Sequence, residues 1–397
     1  MTPNWSDLLP EILNKITQNL NFYEDFINFL CVCTSWNSSI TTTKTFIHTL
    51  PSQFPTLMLA ESNTNEDDND QNYRNFILLS NHNTVRKLQL PEAHRQKCVS
   101  THGWLLTTGE QEFCAKLLHP ISRTQIELPQ LYMFEELHFD QDEWMYYCSS
   151  MRKVVFTSSN PLLIDPLFRV VIIWGRTIGF CRPGDASWTR INGSSEGQLF
   201  DITYHNMRKR VYVVAAMGSI YECDVFNDSN SSSLSHVSKF PGQVFGCSSL
   251  PWLYLLEWGY NSLLMVTRDR YYFKKHDDEY KRYGSYRTYK FQCFEFCLDD
   301  GKWTKVMSLG DKAVFLGFNS SFSINSGGGV RPDCIYFTDD LYDPFRDLPD
   351  DGGGDVGVYS MADGSIEAIF KSNCESIFRC SPPLWLESNT LPTLKKM

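Results

Sequence analysis

Gly193-Ser194-Ser195-Glu196-Gly197 satisfies the G-x-S-x-G pattern, in which a serine nucleophile sits on a strained strand-to-helix elbow. That pattern needs a helix after it. Leu199 to Tyr204 reads instead as a strand, so a Gly/Ser turn is expected here and no hydrolase. The nine histidines show neither H-E-x-x-H nor paired ligand spacing, and are expected to be solvated or hydrogen-bonded in the core. Thirteen cysteines, an odd number running from Cys31 to Cys380 without a C-x-x-C pair, fit reduced core thiols better than a disulfide framework or a zinc site. These spacings require no catalytic residue, no cofactor and no metal.

Two stretches suit binding. Arg268 to Lys290 holds eight Lys/Arg against four Asp/Glu, a balance of +4, with seven aromatic residues interleaved. Cations beside stacking faces suit single-stranded nucleic acid, and the same composition suits a protein-binding hot spot. A third reading is a long hairpin with its aromatics packed and its charges solvated. Arg270, Tyr271, Tyr272, Lys274, Arg282, Tyr283 and Tyr286 are the candidate contacts to a target protein. Asp339 to Asp355, with seven aspartates and Gly352-Gly353-Gly354, reads as a long flexible loop that could share that role. Glu61 to Arg74 reads as a disordered loop, since it has almost no apolar residue and lacks the glycine turn of a calcium loop. Arg182-Pro183-Gly184-Asp185 reads as a tight turn that returns Trp188 to the core.

Composition narrows the partners. A formal charge of -10 argues against a general polyanion binder, because phosphate neutralisation needs Lys and Arg in excess. Hydrophobic content of 42% with 14% aromatics is ample for a packed core. The most continuous apolar run, Val170 to Trp174, is far below the roughly 18 residues of a membrane span, and Met1 to Glu11 carries no signal-peptide pattern. A soluble, non-secreted protein of the cytoplasm or nucleus is expected.

The elements that must position these residues are of two kinds. Residues 1–45 read as helical: Pro10 suits a first turn, and Ile12, Leu13, Ile16 and Leu20 recur at helical spacing. A second helical stretch from Phe22 to Trp36 carries more apolar positions than one buried face can use, so this segment needs a partner surface or the adjoining domain. Residues 51–390 read as all-β, with more than twenty short strands bounded by Gly, Pro, Asn, Asp or Ser. Aromatic-rich strand groups recur at about 45 to 50 residues, the scale of a four-stranded blade, and predict a β-propeller of six or seven blades. A pair of β-sandwiches is the alternative; it predicts a linker near the middle, and none is evident.

Two resemblances sharpen this reading. Leu9-Pro10-Glu11-Ile12-Leu13, then Ile16, Leu20, Asp25 and Cys31-Val32-Cys33-x-x-Trp36 resemble the F-box, the module that attaches substrate receptors to the Skp-type adaptor of cullin-RING ubiquitin ligases. Asn28, Leu30 and Asn37 stand where family members usually carry arginines. The resemblance implies adaptor contact by Leu8, Leu9, Pro10, Ile12, Leu13, Ile16, Leu20 and Trp36. Further on, Ser100-Thr101-His102-Gly103-Trp104-Leu105, Phe180-Cys181-Arg182-Pro183-Gly184-Asp185-x-Ser187-Trp188 and Phe315-Leu316-Gly317-x-Asn319-x-Ser321-Phe322 are similar to a plant F-box family. Its C-terminal region was catalogued as a domain of unknown function. This implies a non-catalytic substrate receptor whose propeller-like domain recruits a target protein for ubiquitination. A propeller interaction protein outside any ligase, a propeller enzyme with acid/base groups at its central channel, and an RNA-binding module using residues 268–290 are the alternatives.

Overall fold

A computed structural model describes residues 5–17, 20, 25, 28–29, 32–41, 55–61, 72–79, 84–109, 114–131, 151–158, 165–192, 198–226, 233–242, 252–273, 285–340, 355–369 and 382–387. Two helices, α1 (Pro10–Thr17) and α2 (Thr34–Thr41), precede twenty-five strands among these residues. Pro10 opens α1, where its missing N–H costs no hydrogen bond. Glu11 in the first turn and Lys15 in the last both complement the helix dipole.

The strands form six sheets. The second blade is β4 (Lys97–Thr101), β5 (Trp104–Thr108), β6 (Ala115–Leu118) and β7 (Gln125–Leu128), an antiparallel meander. The third, β8 (Met151–Phe156), β9 (Val170–Trp174), β10 (Thr177–Cys181) and β11 (Thr189–Arg190), repeats it. So do the fourth, β12 (Leu199–His205) to β15 (Ser235–Lys239), and the fifth, β16 (Trp252–Trp258), β17 (Ser262–Phe273), β18 (Ser285–Cys297) and β19 (Trp303–Val306). Blade one is β1 (Thr56–Met58), β2 (Tyr73–Leu78) and β3 (Thr84–Gln89), completed by β25 (Leu384–Leu386), which pairs antiparallel with β1 and closes the ring. Closure leaves only short blade edges, on the axis and on the outer rim.

Blade six departs from the meander. Its β20 (Lys312–Leu316) runs parallel to β22 (Cys334–Phe337), with β21 (Phe322–Asn325) hairpinned onto its other side. The segment between β20 and β21 reaches across to blades two, three and four, and through Ser100 and Asp201 it is linked to blades one and five. Ser320 N donates to Ser100 O at 2.7 Å, and Ser100 Oγ to Trp385 O at 2.6 Å. Lys153 Nζ donates to Asn319 O at 2.8 Å, and Ser321 Oγ donates to Asp201, which also accepts from Leu255 N at 3.1 Å.

Apolar side chains fill the spaces between blades. Val170 and Ile172 pack toward blade two, while Val171 and Ile173 pack toward blade four. A strand covered on both faces is therefore apolar at every position, which is why Val170–Trp174 is an unbroken run. In the same way Ala313 and Phe315 face blade one and Val314 and Leu316 face blade five.

Two loops expected to be disordered or flexible are anchored at their ends. Glu61 and Arg74 form a buried ion pair at 2.9 Å, and Asp339, Asp340 and Asp355 are buried, because each carboxylate meets a cation or a hydroxyl. The interiors of both stretches, like the Gly193–Gly197 pattern, lie outside the described residues. Arg182 to Asp185 is the tight turn anticipated, with Asp185 N donating to Arg182 O at 3.1 Å, and Trp188 Nε1 donates to Pro129 O at 2.8 Å.

Candidate functional site

The helical segment has its own small interior. Leu13 and Phe29 are buried at its centre, and Leu8, Ile16, Leu20 and Trp36 pack around them. Phe29 and Trp36 meet with ring centroids 4.6 Å apart, and Trp36 Nε1 donates to Trp5 O at 2.9 Å. An exposed ion pair, Arg86–Asp25 at 3.6 Å, links the segment to β3.

Outside that interior lies an apolar face. Trp5 is 67% exposed, Leu9 62%, Val32 56% and Ile12 44%, and Pro10 is exposed between them. Leu9 and Ile12 are three residues apart, so the first turn of α1 places them side by side. This face divides the eight residues assigned to adaptor contact. Leu9, Pro10 and Ile12 are exposed; Leu8, Ile16, Leu20 and Trp36 give most of their surface to the interior. Leu13 is a correction: it is fully enclosed, because it faces Phe29 across the helices. Trp5 and Val32 are exposed apolar residues that were not among the assigned contacts.

The basic aromatic stretch forms β17 and β18, whose pairing runs on to Phe273 and Ser285. Alternation sends its side chains to two sides. On the inner side, Arg268 Nη1 donates to Tyr254 Oη at 3.0 Å, Thr338 O at 2.8 Å and Asp340 Oδ1 at 3.1 Å. Its Nη2 reaches Asp355 Oδ2 at 3.0 Å. Arg270 donates to Asp340, Tyr286 Oη donates to Asp339, and Thr288 Oγ1 donates to Asp355 Oδ2 at 2.7 Å.

Arg270 and Tyr286 are therefore corrected from target contacts to interior residues, since their polar groups are held by aspartates of blade six. Tyr271 remains outward, 47% exposed, with Tyr289 beside it at 6.1 Å between ring centroids. Tyr272 belongs to β17 by its backbone, and Lys274, Arg282 and Tyr283 lie outside the described residues.

Burial and pairing divide the aspartates. Burial alone would raise Asp340, but Arg270 and Arg268 overcome it and hold the carboxyl below its usual range. Asp339 is raised, first by burial and then by Asp355 beside it. Asp201 is raised by burial against the pull of Lys153, 3.2 Å away. Among the histidines, His119 is a hydrogen-bonded core residue: it accepts from Ser122 N at 3.2 Å, and burial lowers it to about 4. The described cysteines are all free thiols, and burial pushes Cys223 and Cys293 up to about 12.

Residues 76–360 match the model of the KIB1-4 beta-propeller, and residues 5–48 match the F-box domain. The chain belongs to the KIB1-4 beta-propeller family. Its F-box coincides with the helical segment, and its propeller with the six-bladed ring. The putative F-box protein At5g55150 of Arabidopsis thaliana is 27% identical, over 98% of each chain. F-box protein At4g35733 of the same plant is 25% identical over 96% of this chain and 98% of its own. F-box protein SKIP23, also from Arabidopsis thaliana, is 24% identical over 97% of this chain and 96% of its own. An F-box joined to a KIB1-4 propeller supports a substrate-adaptor role in Skp–cullin–F-box ligases.

Proposed function

We propose that this chain is a non-catalytic receptor of the cytosol or nucleus that seats its F-box on a Skp-type adaptor and holds a target protein on its propeller for ubiquitin transfer. The observation that carries the reading is the apolar face of Trp5, Leu9, Pro10, Ile12 and Val32. The segment closes its own interior around Leu13 and Phe29, yet leaves four large apolar side chains in water. Large apolar side chains left exposed in so short a segment mark a protein-binding surface. The chain contributes proximity: a target tethered to the ligase sees a raised effective concentration of the transferring group.

The test is a pull-down of purified Skp-type adaptor with the intact chain and with a Leu9→Ala, Pro10→Ala, Ile12→Ala variant. Capture by the intact chain and loss in the folded triple variant are expected. An intact chain that fails to capture adaptor refutes the reading.

A further inference from the structure

The pairing of β17 with β18 outlasts the blade that contains it. β16 leaves β17 at Arg268 and β19 leaves β18 at Cys293, whereas β17 and β18 stay paired as far as Phe273 and Ser285. A two-stranded ribbon is marginal by itself in water. This one is held from its inner side, where Arg270, Tyr286 and Thr288 are bonded to Asp340, Asp339 and Asp355 of blade six. Alternation then sends Asp269 and Tyr271 to the side opposite Arg268 and Arg270, and Arg287 to the side opposite Tyr286 and Thr288. A register shift between Asp269 and Arg270 leaves Tyr289 as an extra residue between Thr288 and Lys290, and it too is exposed. Bulges re-aim side chains and concentrate beside functional sites.

The outer side of the ribbon carries the residue types of a protein-binding hot spot. Tyr271 is 47% exposed and Tyr289 45%, with their ring centroids 6.1 Å apart. Arg287 is the cross-strand partner of Tyr271 and stands half-exposed. Arg268 and Arg270, on the inner side of the same ribbon, are both paired with carboxylates. Among the described residues none forms an ion pair or hydrogen bond with the Arg287 guanidinium, so its planar fork of donors is open to a partner. Lys290 and Asp269 face each other across the two strands. Two cations against one carboxylate leave this side one charge positive, within a chain whose formal charge is -10.

Exposed tyrosines beside cations also suit single-stranded nucleic acid. Charge decides between the two. A nucleic acid brings a phosphate with every nucleotide and needs Lys and Arg in excess along its path, which one net cation on an acidic protein does not provide. A protein segment needs only a carboxylate matched to Arg287 and side chains that cover the tyrosine rings.

We propose that the outer side of the β17–β18 ribbon, with Tyr271, Arg287 and Tyr289 at its centre, holds an acidic segment of the target protein. Arg287 forks one of its carboxylates and the two tyrosines cover the side chains beside it. The bonds from the inner side to blade six hold this surface in shape before the target arrives, which lowers the ordering cost of binding. The inference rests on the reading of the propeller as the target-binding half.

The experiment titrates the full chain into three labelled probes, followed by fluorescence anisotropy: a short blocked peptide alternating glutamate and leucine, its counterpart with glutamine for glutamate, and single-stranded oligouridine. The glutamate peptide is expected to bind at least about tenfold more tightly than the glutamine peptide, the difference of one charge-assisted contact. Arg287→Gln is expected to abolish that preference, and Tyr271→Ala with Tyr289→Ala to weaken the glutamate peptide about tenfold, as for hot-spot truncations. All three side chains stand outside the core, so the melting temperature is expected to stay that of the parent chain. Equal binding of the two peptides, a preference retained in Arg287→Gln, full affinity retained in the tyrosine variant, or tighter binding of oligouridine overturns the proposal. The peptide comparison needs no variant, and either variant by itself locates the site. The same preparations enter the adaptor pull-down. Adaptor capture without a glutamate preference removes the ribbon alone, and a glutamate preference without adaptor capture removes the F-box reading alone.

Discussion

The F-box and the fifth and sixth blades invert the usual distribution of side chains in opposite senses. In the F-box, Trp5, Leu9, Ile12 and Val32 stand in water although their interior neighbours Leu13 and Phe29 are fully packed. Between the two blades, Arg268, Arg270, Asp339, Asp340 and Asp355 are shut away from water and hydrogen-bonded to one another or to Tyr254, Tyr286 and Thr288. An exposed apolar residue loses little in the isolated chain and gains when a partner covers it. A buried charge gains only from partners already in place, so removing one strands the others. The first arrangement is suited to association, and the second fixes the geometry of one fold.

Arg268→Ala breaks the comparison on its larger side. It leaves Asp340 and Asp355 buried with Arg270 as their one remaining shared arginine, and a loss of about 3–5 kcal/mol is expected in urea unfolding. Leu13→Ala comes next, removing a fully enclosed side chain at a cost of about 2–5 kcal/mol confined to the F-box. Limited proteolysis is expected to cut residues 5–41 faster in this variant, and adaptor capture to fall with it. Leu9→Ala with Ile12→Ala separates contact from folding. Adaptor affinity is expected to drop at least about tenfold, as for hot-spot truncations, while the proteolysis pattern stays that of the parent chain.

Asp339→Asn is smaller and depends on pH. An aspartate raised in the folded state stabilises below its unfolded pKa of about 3.9, and that contribution is lost as pH rises through the folded pKa. Asp340, lowered in the folded state, acts in the opposite sense, its contribution being lost as pH falls through its folded value. The asparagine still accepts from Tyr286 and no longer ionises, so the variant is expected to match or exceed the parent at neutral pH. A urea midpoint that falls at neutral pH would show that the ionised form is the one the fold uses. Arg86→Ala is the smallest change: its pair with Asp25 is exposed on both sides, and less than about 1 kcal/mol is expected.

The reach of the sequence follows the same division. Strand positions such as Val170–Trp174 were legible because two-sided burial writes itself into local composition, and Pro10 with the helical spacing of Ile12, Leu13 and Ile16 placed α1 correctly. That Ile12 faces outward and Leu13 inward was not legible, since Phe29 packs on Leu13 from another part of the chain. Arg270 and Tyr286 read as surface contacts because local composition counts charges and not partners, and their aspartates lie 70 and 53 residues away. The reach of residues 317–321 across to blades two, three and four was also beyond local pattern, since its partners Ser100, Lys153 and Asp201 are set by closure of the ring. The six sheets fall within the expected six or seven blades, a number that strand spacing alone bracketed.

Joining β25 to β1 also imposes an order on biosynthesis. Thr56–Met58 leaves the ribosome more than three hundred residues before Leu384–Leu386, which at about 5–20 residues per second is roughly 15 to 65 seconds. Throughout that interval the F-box is already available, whereas the inner edge of blade one waits with its backbone donors and acceptors unpaired. A nascent chain of this kind exposes its F-box well before its propeller can close. A message truncated between β1 and codon 384 yields a chain that keeps the F-box but presents a raw strand where the ring should join.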